Sequence, residues 1–203
     1  MTQTVTTADS GARGTSAGTQ TIRNGVDTAT MFATLDAIKA QPELATFRFR
    51  ARNTWQGGAH NRSVIKDFYG AGGEDGSRTE GFTLDAGEPP VLLGTNEGPN
   101  PAEYLLHALA ACVTTSLVYS AAARRVPLTS VSSELEGEMD VRGALGLDDD
   151  YRNGFTRITM KVTISGDAPP EKLREVVMRG RRRSAVFDMV TNGVPVELDV
   201  VTD

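Results

Sequence analysis

The chain has 203 residues, a formal net charge of −5, and ordinary apolar and charged fractions of 39% and 23%. This composition is typical of a globular protein with one substantial core, and the acidic balance gives no indication of nucleic-acid binding. A single cysteine excludes an intramolecular disulfide and fits a reducing compartment such as the cytoplasm. Two histidines and one cysteine are too few to predict a zinc site, and no metal or organic cofactor is expected.

No segment is expected to cross a membrane or to direct secretion. The most apolar run, from Leu105 to Val118, is too short for a span and contains His107 and several hydroxyl residues. The N-terminus has no basic segment followed by an apolar one, so a secretory signal is not expected.

Three regions follow one another along the chain. Residues 1–25 are rich in Thr, Ser and Gly and are predicted to be a flexible tail. Residues 26–44 carry apolar side chains at helical spacing and predict an accessory amphipathic helix that ends near Pro42 and packs on the domain or on a partner subunit. Residues 45–203 are predicted to form one α+β domain.

The first part of this domain has the alternation of a small antiparallel meander. Phe47 and Phe49 alternate with arginines in a first strand, and Trp-Gln-Gly-Gly at 55–58 predicts a turn into a second strand. The glycine-rich tract GAGGEDGSR at 70–78 is predicted to be a loop. A third strand includes Phe82.

The stretch PNPAEYLLHALAACVTTSLVYSAAARR predicts a long, almost entirely apolar helix that ends at about Arg125. Asn100 is a good N-cap, Pro101 suits the first helical position, and Glu103 completes a capping box. Because this helix is apolar on nearly every side, it must be covered by sheet on one side and by another helix or subunit on the other.

The last third of the chain predicts two strands, two helices and a closing strand. The strands run from Leu128 to Val141 and from Phe155 to Ile164. One helix opens at Pro169-Pro170, and a short helix follows Ser184, which is placed to be its N-cap. The closing strand is predicted at 194–200.

Cys112 lies in the middle of the predicted long helix, and its residue type supports two interpretations. An unpaired cysteine is often a small apolar filler, and burial in apolar surroundings makes a thiol inert. A cysteine whose thiolate is stabilised is a nucleophile. Both interpretations stay open from spacing alone.

Two segments and one turn together resemble the OsmC/Ohr family of thiol-dependent hydroperoxide-detoxifying proteins: NPAEYLLHALAAC, RRRSAVFDMVTNGVPVEL and the WQGG turn. The resemblance covers roughly residues 45–203. It implies an OsmC-like α+β fold, with curved antiparallel sheets around long central helices in an intertwined homodimer. It also implies a reactive cysteine where Cys112 stands, supported by an arginine and a glutamate, and a second cysteine that resolves the sulfenic acid into a disulfide.

The sequence departs from this family pattern at three positions. The resolving position is Ser184, so no internal disulfide can form. The family's glutamate position holds Ala102, with Glu103 next to it. The arginine position after the Gly-Gly turn holds Ala59, and Arg62 is the nearest substitute.

Three functional hypotheses follow. In the first, the protein is a one-cysteine peroxidase for small hydrophobic hydroperoxides, with Cys112 as nucleophile, Arg62 and Glu103 as its supports, and an external thiol as reductant. In the second, it is a non-catalytic dimeric module that binds a hydrophobic small molecule at the subunit interface. In the third, it is a stress-associated homologue without chemistry.

Each supporting residue also has a purely structural alternative. Glu103 is a capping-box residue by default, Arg62 a solvated strand residue, and Ser184 a helix N-cap. The expected partners are a second copy of the chain, the hydroperoxide or ligand, and an external thiol. Neither nucleic acid nor a membrane is expected.

Overall fold

The computed structural model describes residues 21–202, which form antiparallel sheets and helices. Of the tail predicted at 1–25, residues 1–20 lie outside the described part of the chain. The strands are β1 (Ile22–Arg23), β2 (Val26–Asp27), β3 (Arg48–Phe49), β4 (Arg52–Gly57), β5 (His60–Ile65), β6 (Phe68–Gly70), β7 (Gly73–Asp75), β8 (Phe82–Ala86), β9 (Leu128–Glu138) and β10 (Arg157–Gly166). The helices are α1 (Thr28–Ala40), α2 (Pro101–Ala123), α3 (Val141–Ala144), α4 (Pro170–Arg183) and α5 (Ala185–Asn192), with 3₁₀ turns at Pro42–Ala45 and Pro90–Leu92.

Strands β1 and β2 form a hairpin that reaches into the segment predicted as tail. Asn24 and Gly25 both have positive φ, 49° and 78°, which is the conformation of a two-residue hairpin turn. The Asn24 side chain fastens this hairpin to the core. Its Nδ2 donates to the Val126 carbonyl and its Oδ1 accepts from the Leu128 N–H, both at 2.9 Å.

Helix α1 follows directly, as its apolar spacing predicts. It begins at the N-cap Asp27, whose carboxylate accepts from the N–H groups of Ala29 and Thr30. Phe32 and Leu35 are nevertheless 44% and 46% exposed. The apolar side of α1 is therefore not covered by the described part of its own chain, and packing against a partner subunit stays a prediction.

The meander is divided more finely than its alternation predicts. One sheet has the order β3-β6-β7 and the other the order β4-β5-β8, with β6 and β5 as their central strands, so the first predicted strand divides between two sheets. The loop predicted at 70–78 is wrong in part, because β7 pairs with β6 around Ala71 and Gly72. Both residues have positive φ, 50° and 87°, so the tract supplies a tight hairpin turn.

Helix α2 confirms the predicted N-terminus in detail. Asn100 accepts from the Ala102 N–H, Pro101 is the first helical residue, and the Glu103 carboxylate accepts from the Asn100 N–H at 2.8 Å. The helix ends at Ala123, and Arg125 with a φ of 57° turns the chain out of it.

The core lies where α2 meets α4, α5 and the β9–β10 pair. The buried side of α2 presents Leu109, Val113 and Leu117, and the inward residues of β9 and β10 pack against them. At Gly180 of α4 an added Cβ would lie 2.5 Å from the Leu117 Cβ, so a glycine is required for the close approach of these two helices. By length and composition α2 could cross a membrane, a test that the core helix of a globular protein also passes; here Leu109, Val113 and Leu117 on its buried side belong to the core.

Two predictions for the C-terminal half need correction. The strand expected from Leu128 to Val141 ends at Glu138, because Asp140 accepts from the Arg142 N–H and caps α3. The closing strand expected at 194–200 pairs with no strand among residues 21–202. Val196 and Leu198 are 86% and 87% exposed, because an extended segment needs a neighbouring strand before its alternation can bury one face.

Candidate functional site

The thiol of Cys112 lies half-buried on α2, beside the start of α5. Ser184 ends α4 and is the N-cap of α5, where its Oγ accepts from the Phe187 N–H at 3.2 Å. The chain therefore brings together Cys112 and Ser184, the residue that sequence resemblance places at the resolving position.

Polar groups around the sulfur favour its ionised form. Burial raises the pKa of the Cys112 thiol, but hydrogen bonds from the Ser184 hydroxyl, the N–H groups of Val186 and Ala185, and the Ser116 hydroxyl outweigh it, so the pKa lies below its ordinary value. The two N–H groups belong to the first turn of α5, where free donors and the helix dipole stabilise negative charge. Thiolates at helix N-termini are stabilised in this way.

The Ser184 hydroxyl can serve the thiol and the helix at the same time. A hydroxyl has one donor hydrogen and two acceptor lone pairs. One lone pair accepts from Phe187, which leaves the hydrogen for the sulfur. Because Ser184 is 2% exposed, water does not compete for this hydrogen.

Arg62 is placed elsewhere within the protomer. Its Nε and Nη2 donate to the two carboxylate oxygens of Asp85 at 2.9 and 3.1 Å, across the β5–β8 pairing. The His60 ring lies 2.7 Å from the same carboxylate. Hydrogen bonds from Arg62 and then His60 hold the pKa of Asp85 below its usual value.

Glu103 also lies away from the thiol of its own chain. Its carboxylate closes the capping box at the N-terminus of α2. Cys112 is nine residues further along, which is about 13.5 Å of helix rise. The Tyr104 hydroxyl donates to the Asp85 carbonyl at 2.7 Å, so Arg62 and Glu103 share this end of α2.

The geometry adds residues that the sequence did not single out. Ser116 lies one helical turn after Cys112. Its proximity to the thiol could have been predicted from the sequence, because residues four apart lie on the same helix face. Asp85, the partner of Arg62 and His60, has no such signal, since it depends on the register between β5 and β8. The interpretation of Glu103 and Arg62 as supports of Cys112 is not met within one protomer and stays a prediction.

A large apolar cavity lies next to this region. It has a volume of about 650 Å³ between β10, α4 and α5. Val113, the neighbour of Cys112, and Phe187, from the first turn of α5, both line it. Arg181 also lines it, and its guanidinium lies 4.7 Å from the centre of the Phe187 ring. Within residues 21–202 no group of three or more His, Cys, Asp or Glu side chains could hold a metal ion.

Comparison with known proteins gives the family. The sequence model of the OsmC-like protein family matches residues 94–199, more than half of the chain. No curated protein matches the chain.

Solved structures share its fold at low sequence identity. An organic hydroperoxide resistance protein OsmC from Legionella pneumophila is 17% identical, with a TM-score of 0.52 over 73% of this chain and 93% of that one. An OsmC-like protein from Mycoplasma pneumoniae is 14% identical, with a TM-score of 0.51 over 72% and 87%. An OsmC-like protein of unknown function from Vibrio cholerae is 16% identical, with a TM-score of 0.51 over 70% and 92%. With its helix α2, its paired strands β9 and β10 and its Cys112 all inside the matched region, this chain belongs to the OsmC-like family.

Proposed function

We propose that the protein is a one-cysteine peroxidase for organic hydroperoxides, with Cys112 as the nucleophile. The observation that carries the proposal is the position of the half-buried sulfur beside Ser184 and the first turn of α5, where polar groups lower the pKa of the Cys112 thiol although burial raises it. A thiol that served only as apolar filler would be expected in apolar surroundings, where burial alone would raise its pKa. The solved relative from Legionella pneumophila, named an organic hydroperoxide resistance protein, supports the same chemistry.

The reaction proceeds in two stages, oxidation of the thiolate and then its recovery by two external thiols. In the first, the Cys112 thiolate attacks the terminal oxygen of the hydroperoxide, the O–O bond breaks, and the alkoxide leaves as an alcohol after taking up a proton. The sulfur is oxidised to a sulfenic acid. In the second, an external thiol attacks the sulfenic sulfur and releases water. A second external thiol then attacks the mixed disulfide, which restores Cys112 and releases an oxidised disulfide.

An external reductant is needed because the serine at the resolving position cannot form a disulfide. Ser184 holds the place beside the sulfur, and its hydroxyl stabilises the thiolate before the reaction. The cycle therefore requires a compartment with abundant small thiols, such as the cytoplasm.

A homodimer is part of this proposal. On α2 the residues His107, Ala111, Thr115 and Tyr119 are spaced four apart and all exposed, so one stripe of this apolar helix lacks cover in the single chain. A second copy on this stripe would bury it and could bring its Arg62 and Glu103 towards Cys112. Sedimentation should give a dimer at micromolar concentration, and a stable folded monomer would contradict this part.

The decisive experiment is to follow both the hydroperoxide and the thiol. Wild-type protein with excess dithiol should consume an organic hydroperoxide, and Cys112→Ser should not. Mass spectrometry without dithiol should show one added oxygen on Cys112. The proposal fails if wild-type protein consumes no more hydroperoxide than a thiol-only control while Cys112 stays reduced.

A second candidate function rests on the cavity of about 650 Å³. Its lining of Ile158, Met160, Leu173 and similar side chains suits an apolar ligand, and Cys112 would then belong only to the wall nearby. This binding module predicts saturable uptake of an apolar fluorescent probe by the Cys112→Ser variant. Uptake without any peroxide turnover by the wild type would favour binding over catalysis.

A further inference from the structure

The second candidate site is a group of arginines where the C-terminal end of α2 meets α4. We call it the basic cluster, and its members are Arg124, Arg179, Arg182 and Arg183. Arg124, Arg179 and Arg182 line a cavity of about 420 Å³ together with Arg174, Met178, Glu171 and Glu175. This cavity is separate from the thiol, whose hydrogen-bonding groups do not line it.

The positive charge of the cluster is not balanced by ion pairs. No ion pair within residues 21–202 includes any of its four arginines. Elsewhere in the described chain several cations do pair with carboxylates: Lys39, Arg50, Arg52, Arg62, Arg142, Lys161 and Lys172. Of the two glutamates in the cavity, Glu175 already accepts from Lys172 at 3.2 Å.

The arginines repel one another. The charges of Arg124, then burial, then those of Arg183 and Arg182 lower the pKa of the Arg179 guanidinium. Packing in the core holds these arginines close together, because α4 lies tightly against α2 at the Gly180–Leu117 contact and cannot move away freely. Like charges held together by packing reduce stability until an anion arrives between them.

We propose that the basic cluster binds the dianionic phosphate group of a phosphate monoester. Guanidinium groups present pairs of N–H donors that match phosphate oxygens, and several of them can share one phosphate. The arginines line a concave cavity of limited size, which suits a small head group better than the long track that a nucleic acid requires. The net charge of −5 also opposes nucleic-acid binding.

A purely structural alternative makes the opposite prediction about stability. Arg181, Arg182 and Arg183 lie in the last turn of α4, where cations interact favourably with the helix dipole. If the dipole and packing were the reason for the cluster, removing an arginine would lower the melting temperature. If the cluster is a phosphate site, removing Arg179 should relieve repulsion and leave the melting temperature equal or higher in phosphate-free, low-salt buffer.

The test is calorimetric titration of the full chain with inorganic phosphate and with glycerol phosphate, a soluble monoester. Wild-type protein should bind both saturably, and each should raise its melting temperature. Arg179→Gln and Arg182→Gln should each weaken binding by about tenfold or more, because a hydrogen-bonded charge is lost. The matched control is Arg157→Gln, which removes an exposed arginine at the start of β10 and should bind as the wild type does.

Vesicles distinguish the source of the phosphate. Binding to glycerol phosphate indicates a soluble metabolite, whereas saturable binding only to phosphatidylcholine vesicles containing phosphatidate indicates a lipid head group; either outcome supports a phosphate site. The proposal is overturned if no phosphate binds saturably, or if Arg179→Gln and Arg182→Gln bind as tightly as the wild type. It is also overturned if DNA displaces phosphate and binds far more tightly. None of these outcomes depends on hydroperoxide turnover.

Discussion

The Ser184→Ala variant tests the electrostatics of the proposed thiolate site directly. The substitution removes the hydroxyl that donates to Cys112, whereas the two N–H donors of α5 and the Ser116 hydroxyl remain. It creates almost no space, because serine and alanine differ by one oxygen. The expected result is a higher pKa of the Cys112 thiol.

The magnitude follows from the contacts of the sulfur. A hydrogen bond to a charged group contributes roughly 1.5–3 kcal/mol, and the half-buried position of Cys112 favours the lower end. A pKa change of one unit corresponds to about 1.4 kcal/mol, so the thiol pKa should rise by about one unit. At a pH below that pKa, the thiolate fraction and the rate of alkylation should fall about tenfold.

The assay is the rate of Cys112 alkylation by iodoacetamide as a function of pH. Because Ser184 also caps α5, the variant should lose about 1 kcal/mol of stability. Asp27→Ala is the matched control, since it removes the N-cap of α1 and leaves the groups around the thiol in place. An unchanged alkylation profile in folded Ser184→Ala would refute the idea that this hydroxyl stabilises the thiolate.

Four further predictions concern the resolving position, the helix contact, the N-terminal hairpin and the Asp85 carboxylate. Ser184→Cys should form a disulfide with Cys112 after peroxide treatment, detected as the loss of both free thiols; two persisting thiols would show that the side chains do not meet. Gly180→Ala should lower stability by about 1–3 kcal/mol because its Cβ meets the Leu117 backbone at 2.7 Å, and an unchanged melting temperature would contradict this contact. Asn24→Ala should lower the free energy of unfolding by about 1–3 kcal/mol, because two hydrogen bonds to Val126 and Leu128 are lost. Asn24→Gly keeps the turn conformation, so its loss of stability measures the hydrogen bonds without the backbone strain that alanine adds. Arg62 and His60 lower the pKa of Asp85, so the stability that its carboxylate contributes is present above the usual carboxyl pKa and is lost as pH falls through the lowered pKa. The difference in melting temperature between wild type and Asp85→Asn should therefore shrink on acidification. A difference that stays constant with pH would contradict this prediction.

Local signals in the sequence were sufficient for the part of the site built on helix ends. The capping box at Asn100 and Glu103 gave the start of α2 because both residues act within four positions of each other. The N-cap at Ser184 gave the start of α5 for the same reason. Resemblance to a family assigned Ser184 to the resolving position, and in the structure its hydroxyl lies close enough to the sulfur to lower the pKa of Cys112; its role as a resolving position stays a prediction.

The rest of the site depends on strand register, which local signals do not give. Arg62 looks like a free cation in the sequence, yet it is neutralised by Asp85 because β5 and β8 pair with these two residues opposite each other. Nothing near either residue in the sequence indicates that register. The hairpin at Asn24-Gly25 differs in kind, because this dipeptide is a strong local turn signal, and the polar composition around it favoured a tail instead.

The closing strand shows why a correct pattern can still fail within one chain. Its valines and leucine alternate as a half-buried strand does, yet they are exposed because no described strand of the same chain lies beside them. The apolar side of α1 and the exposed stripe of α2 lack cover in the same way. A sequence selected to bury these three surfaces would carry this amphipathic spacing whether the cover came from its own chain or from a second copy. Spacing alone therefore predicts that a face is covered but not which chain covers it. In the homodimer proposed above, a second copy would cover the closing segment, the apolar side of α1 and the exposed stripe of α2.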